Sequence, residues 1–128
     1  DEPRQQPERM WYTVDVLTCA APNLRERPGN DMNPGDGDRA IDISADELCK
    51  LHEKRLRRVA DIAVENGAEV LILGAFGCGA FRNPPEIVAQ VMKTVVEEYR
   101  YCFKTIEMAV YCSPRDDTNY RVFAETFN

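Results

Sequence analysis

Leu71-Ile-Leu-Gly-Ala-Phe-Gly-Cys-Gly-Ala-Phe-Arg-Asn-Pro-Pro85 is the stretch on which the fold turns. An apolar run of strand character leads into Gly74, Gly77 and Gly79, and Asn-Pro-Pro then opens a helix. Glycine admits φ > 0 and, having no Cβ, lets a ligand approach the backbone. A strand that runs through such a loop into a helix aims backbone N–H groups at one point, which suits a phosphate or diphosphate. The order is Gly-x-x-Gly-x-Gly, unlike the Gly-x-Gly-x-x-Gly of dinucleotide sites, and no Lys-Ser/Thr closes it as in a P-loop. A tight turn between packed elements accounts for the same glycines. Composition alone leaves both readings open.

Upstream of the loop, Ser44-Ala-Asp-Glu47 is a capping box and starts a helix. His52, Leu56, Val59 and Ala63 mark its apolar face, and Gly67 ends it as the C′ residue. Glu69 to Leu73 then reads as a short buried strand. Downstream, Pro84 and Pro85 stand where a first helical turn tolerates proline. Val88, Val91, Val95, Tyr99 and Cys102 give that helix its buried stripe. Thr105 to Cys112 alternates through Ile106, Met108 and Val110 as another strand. Ser113 to Thr118 is a turn, and Asn119 to Phe127 a final short helix with Phe123 and Phe127 four apart.

At the other end, residues 1–9 are polar and proline-bearing, and are expected to be a flexible segment. Trp11 to Cys19 alternates loosely through Tyr12, Val14, Val16 and Thr18 and is expected to form the first strand. From Arg27 to Arg39 prolines, glycines, Asn and Asp exclude a regular element and predict a long loop. The order β-loop-α-β-α-β-α predicts an α/β fold with three parallel strands and helices on the faces of the sheet. Glu69–Leu73 is expected at its centre. Three strands leave two open edges. Completion by a second copy, or by a missing N-terminal half, is the expectation.

The 128 residues suffice for one domain that buries roughly two-thirds of its unfolded surface. A net charge of −6 argues against nucleic acid as a partner. Lys54, Arg55, Arg57 and Arg58 cluster, but share a helix with Glu47, Glu53, Asp61 and Glu65, and so read as a salt-bridged solvated face. Five scattered cysteines without a Cys-x-x-Cys pair suit reduced thiols in a cytoplasmic protein. A single histidine, His52, and no ligand spacing point away from a metal site. No apolar run is long enough to span a membrane.

With these elements in order, a family resemblance becomes visible. Gly74-Ala-Phe-Gly-Cys-Gly-Ala-Phe-Arg-Asn-Pro-Pro85 resembles the G-A-W-G-C-G-V-F-x-N-x-P loop of microbial-type poly(ADP-ribose) glycohydrolases, which have a macrodomain fold. Val14-Asp-Val-Leu-Thr-Cys-Ala-Ala-Pro-Asn-Leu-Arg25 is similar to that family's strand and A-P-N loop. Met108-Ala-Val-Tyr-Cys112 and Asn119-Tyr-Arg-Val-Phe123 are similar to its last strand and helix. The resemblance implies a three-layer αβα macrodomain-like fold, partial here. Residues 1–10 would be a flexible N-terminal segment and 11–128 the C-terminal part of an ADP-ribose-binding domain.

The resemblance further implies that Gly74, Gly77, Cys78, Gly79 and Ala80 line the diphosphate, Gly77 to Ala80 as backbone donors, and that Phe81 packs on the distal ribose. Cys78 reads as a small residue tolerated in a tight turn, since no base is placed beside it. Phe76 is expected to pack beneath the loop. Asn119 and Phe123 would border the adenine end, although an aromatic at helical spacing is more often core. ADP-ribose, or an ADP-ribosylated protein, is the implied partner, with no cofactor.

The family's chemistry depends on a Gly-Gly-Gly loop and a Gln-Glu-Glu sequence, whose second Glu would protonate the departing oxygen. Neither occurs in this sequence. Its one Glu-Glu pair, Glu97-Glu98, lies within a helix and reads as a solvated face. No catalytic residue is therefore assigned. Three functions compete: the ADP-ribose-holding part of a glycohydrolase-like macrodomain, a non-catalytic ADP-ribose or nucleotide reader, and a structural module completed by self-association.

Overall fold

A computed structural model describes residues 7–27 and 41–128. The loop expected over 27–39 lies outside the described residues, apart from Arg27, as do residues 1–6. Among the described residues the order is a single 3-10 turn, Glu8–Met10, then α1 (Ala45–Glu65), β1 (Val70–Leu73), α2 (Pro85–Tyr99), β2 (Thr105–Met108) and α3 (Thr118–Phe127).

The ends of α1 follow directly from its sequence. Ser44 Oγ accepts the Glu47 N–H at 3.3 Å, while Glu47 Oε2 accepts the Ser44 N–H at 3.0 Å, a reciprocal capping box. At the other end Gly67 takes φ +71°, its N–H donates to Val64 O, and the Ala68 N–H donates to Ala63 O. Those two bonds are a Schellman motif, which satisfies carbonyls the helix leaves open. The chain leaves this cap directly into β1.

β1 and β2 are parallel, paired Val70 with Thr105 through Leu73 with Met108. α2 connects them, as a parallel pair requires. Leu56 of α1, Val88, Ala89, Val91, Met92 and Val95 of α2, and Phe123 of α3 make the core, with Leu73 and Met108 packed against it. Around the rim of that core, Arg57 of α1 donates to both carboxylate oxygens of Glu98 on α2, at 2.8 and 2.9 Å. Tyr99 Oη donates to Asp61 at 2.5 Å, and this bond first, with burial, pushes the phenol up to about 12. Glu98 thus stands on a salt-bridged surface.

The α/β class with a small parallel sheet stands, and five expectations are corrected in detail. First, Trp11–Thr18 forms no strand; Tyr12 and Val16 are more than four-fifths exposed. Alternation supplies a face, but a strand needs a partner for its backbone and a layer to cover that face, and none among the described residues provides either. Secondly, among the described residues the sheet therefore has two strands rather than three, and β1 stands at an edge rather than at the centre. Thirdly, β1 is half-buried: Leu71 and Leu73 face the helices, whereas Val70 and Ile72 project from the other side, 52% and 62% exposed. Fourthly, β2 stops at Met108, because β1 has by then turned into the glycine loop and offers no further ladder; Tyr111 and Cys112 are exposed. Cys102, expected on the stripe of α2, lies past the end of that helix and is exposed. Among the described residues no helix is long and apolar enough to cross a membrane.

Candidate functional site

The glycine loop leaves β1 at Gly74 and enters α2 at Pro85, folded back on itself by its own backbone. The Cys78 N–H donates to Ala75 O at 3.1 Å, Arg82 N–H to Gly79 O at 3.0 Å, and Asn83 N–H to Gly77 O at 3.0 Å. Two residues take positive φ to allow this, Gly77 at +78° and Arg82 at +56°.

The glycines differ in what they do. A Cβ on Gly77 would stand 2.6 Å from both Ala21 Cβ and Asn83 Nδ2, so packing and backbone both demand glycine there. A Cβ on Gly74 would meet Ala109 O at 3.7 Å, an ordinary contact. A Cβ on Gly79 would meet no atom of the described residues within 4 Å, so that side of its backbone faces open space. Gly79 and Ala80 are exposed, and among the described residues the N–H groups of Gly79, Ala80 and Phe81 have no backbone acceptor. Pro84 and Pro85 carry no N–H, so the first turn of α2 can offer an anion only the N–H groups of Glu86 and Ile87, beside those of the loop.

A second segment, Ala20–Arg25, lies against the loop. Arg55 of α1 donates to Ala20 O at 2.8 Å, and the Leu24 N–H donates to Phe81 O at 2.9 Å. The Arg25 guanidinium lies 5.8 Å from the centre of the Phe81 ring, within cation–π range, and also donates to Asn23 Oδ1 at 3.0 Å. The two loops thus share one rim, with Phe81 half-buried between them.

Beneath that rim is a polar cluster that sequence reasoning assigned no role. Asn83 Nδ2 donates to Pro22 O at 2.8 Å and to Gly77 O at 2.9 Å. With both amide hydrogens used on carbonyls, Asn83 Oδ1 must be the acceptor towards His52 Nε2 at 2.9 Å. The imidazole is therefore the neutral Nε2–H tautomer, its Nδ1 buried without a partner among the described residues. Burial, and then the Arg55 charge, hold its pKa below 6.5, against the pull of the Asn83 bond. Phe76 packs edge-on to the ring, centroids 5.6 Å apart. His52, expected on the apolar face of α1, is completely buried. The available signals were a lone histidine on the apolar stripe of α1 and an Asn before Pro-Pro.

The remaining predicted residues divide. Asn119, at the start of α3, donates from Nδ2 to Cys78 O at 3.4 Å, and so reaches the loop. Phe123 is 2% exposed in the core, against which Ala75, Phe76 and Cys78 of the loop also pack, and it is stacked on Phe127 at 6.3 Å, as its helical spacing suggests. Cys78 is half-buried, and burial with the Glu86 charge pushes its thiol up to about 12. A thiol so placed is protonated at neutral pH and is no nucleophile. Among the described residues no group of His, Cys, Asp and Glu could hold a metal.

No family model matches the chain, and no curated protein does. Solved structures do. The chain is similar to poly(ADP-ribose) glycohydrolase from Deinococcus radiodurans in complex with ADP-ribose, at TM-score 0.60 and 30% identity, over 64% of this chain and 34% of that one. A second crystal form of that complex matches 84% of this chain and 40% of the enzyme, at TM-score 0.63 and 26% identity. A point mutant of the enzyme in complex with ADP-ribose matches at TM-score 0.65 and 25% identity, over the same shares. In fold, the chain is similar to a part of poly(ADP-ribose) glycohydrolase, spanning 34–40% of that enzyme's length.

Proposed function

We propose that the loop Gly77–Phe81, with the segment Ala20–Arg25, is the diphosphate- and ribose-holding part of an ADP-ribose site, and that these 128 residues bind without cleaving. The observation that carries the reading is the contrast between two glycines. Gly77 is required by packing, whereas among the described residues Gly79 faces open space beside N–H groups with no backbone acceptor, in a fold similar to an enzyme crystallised with ADP-ribose. Phe81, braced by Leu24 and Arg25, would pack on the ribose next to the diphosphate. Glycosidic cleavage needs a carboxylic acid within about 2.6–3.2 Å of the leaving oxygen. The sequence has neither the Gly-Gly-Gly nor the Gln-Glu-Glu that would bring one.

Calorimetric titration with ADP-ribose tests this. Wild type is expected to bind weakly. Gly79→Val is expected to abolish binding while folding normally, because its side chain points into the space that the diphosphate would fill. Phe81→Ala should weaken binding. Equal binding by wild type and Gly79→Val would make the loop a structural turn. Incubated with poly(ADP-ribose), the purified chain is expected to release no ADP-ribose; release in proportion to protein concentration would overturn the non-catalytic half of the reading.

A further inference from the structure

His52 and Asn83 are buried polar residues in a core otherwise built of hydrocarbon, 0% and 2% exposed. They come from different elements, α1 and the end of the glycine loop, 31 residues apart. A leucine on the same stripe of α1 would fill this space without leaving a ring nitrogen unpartnered, so apolar packing does not account for an imidazole here. What the imidazole supplies is one N–H aimed at Asn83 Oδ1.

That N–H decides which way Asn83 faces. The amide uses both hydrogens, on Pro22 O and Gly77 O, and its oxygen on His52. Turned over, it would set its oxygen against two carbonyl oxygens and its NH2 against a ring N–H. Each of the three bonds is formed to a different part of the site: Pro22 O belongs to the Ala20–Arg25 segment, Gly77 O to the turn, and His52 to the rigid helix beneath both. Asn83 is therefore a three-way clamp, anchored to α1 through His52.

We infer that His52 is a positioning residue of this site, whose Nε2–H orients Asn83 and so holds the glycine loop and the Ala20–Arg25 segment in one register. The ligand half of this statement rests on the ADP-ribose reading; the clamp itself does not. His52 touches no ligand, and its part is to keep the N–H groups of Gly79 to Phe81 and the Phe81 ring in their relative places before anything binds.

A single histidine makes the test clean. In the 15N–1H spectrum of the imidazole, the folded 128-residue chain should show the neutral Nε2–H tautomer; the Nδ1–H tautomer would overturn the inference. Two variants separate the clamp from mere packing. His52→Gln keeps an N–H at the end of a side chain of similar reach, whereas His52→Leu keeps the bulk and loses the donor. Amide hydrogen exchange is expected to accelerate at Cys78, Arg82 and Asn83, whose N–H groups are bonded within the loop, in His52→Leu, with the α2 core unchanged, and to return close to wild type in His52→Gln. ADP-ribose affinity should fall about tenfold in His52→Leu and recover in His52→Gln.

Unchanged loop exchange in a folded His52→Leu overturns the inference. Should that variant fail to fold, His52→Gln decides. Wild-type loop exchange supports the clamp, and exchange raised evenly through α1 and α2 refutes it. A wild type that does not bind ADP-ribose refutes the proposed function, while hydrogen exchange still decides the role of His52.

Discussion

At the scale of single residues, identical glycines do different work. Gly77 is at φ +78° and a Cβ there would overlap Ala21 and Asn83, whereas Gly79 has neither constraint. Left-handed backbone costs a non-glycine residue about 1–2 kcal/mol, and overpacking about 1–3 kcal/mol more. Gly77→Ala is accordingly expected to lose at least about 2 kcal/mol of stability. Gly79→Ala should stay within about 0.5 kcal/mol of wild type. Urea denaturation midpoints of the three proteins check this; a Gly79→Ala as damaged as Gly77→Ala would mean that the open space beside Gly79 is not there. The G-x-x-G-x-G pattern announced a loop of this kind in the sequence. Which glycine serves the fold and which faces solvent was not legible, since it depends on Ala21, 56 positions away.

At the scale of elements, α1 was readable to within a residue at either end, because its signals are local. Ser44, Glu47 and Gly67 act on backbone groups within five positions of themselves. Ser44→Ala should cost about 1 kcal/mol by removing the N-cap acceptor, measured by thermal or urea unfolding. The strands behaved differently. β1 and β2 exist because α1 and α2 cover Leu71, Leu73, Ile106 and Met108 on one side. Replacing the half-buried Leu73 by Ala is expected to cost about 2 kcal/mol, whereas Ile72→Thr on the uncovered face should change stability by less than about 0.5 kcal/mol. Comparable losses in both would show that the second face is covered in solution. Trp11–Thr18 carries the same alternation as a strand and forms none, because neither a ladder partner nor a covering layer reaches it among the described residues.

At the scale of the whole molecule, the buried imidazole links stability to pH. The folded-state pKa of His52 lies below its unfolded value of 6.5. The neutral ring therefore contributes fully above pH 6.5, and the contribution is lost as pH falls from 6.5 through the folded pKa, where the unfolded chain takes up the proton more readily. Arg55 works in the same direction, since its charge opposes a second one nearby. Lowering the pH from 7.5 to 5 should thus reduce the urea midpoint of wild type, and reduce it less in His52→Gln, which cannot titrate. Equal acid sensitivity in the two proteins would place the effect on carboxylates instead.

Taken alone, the sequence determined the caps of α1, the strand–glycine loop–helix unit, the α/β class and the resemblance to poly(ADP-ribose) glycohydrolases. All of these are carried by short windows in which backbone preference, side-chain period and motif agree. Tertiary structure decided the rest. It set the number of strands, the exposed face of β1, the burial of Phe123, the partial burial of the Cys78 thiol, and the hydrogen bonds that join Asn83 to His52 and Pro22. Each of these depends on atoms brought together from distant parts of the chain. Alternating or helical spacing states which side chains share a face, and only packing determines what, if anything, lies against it.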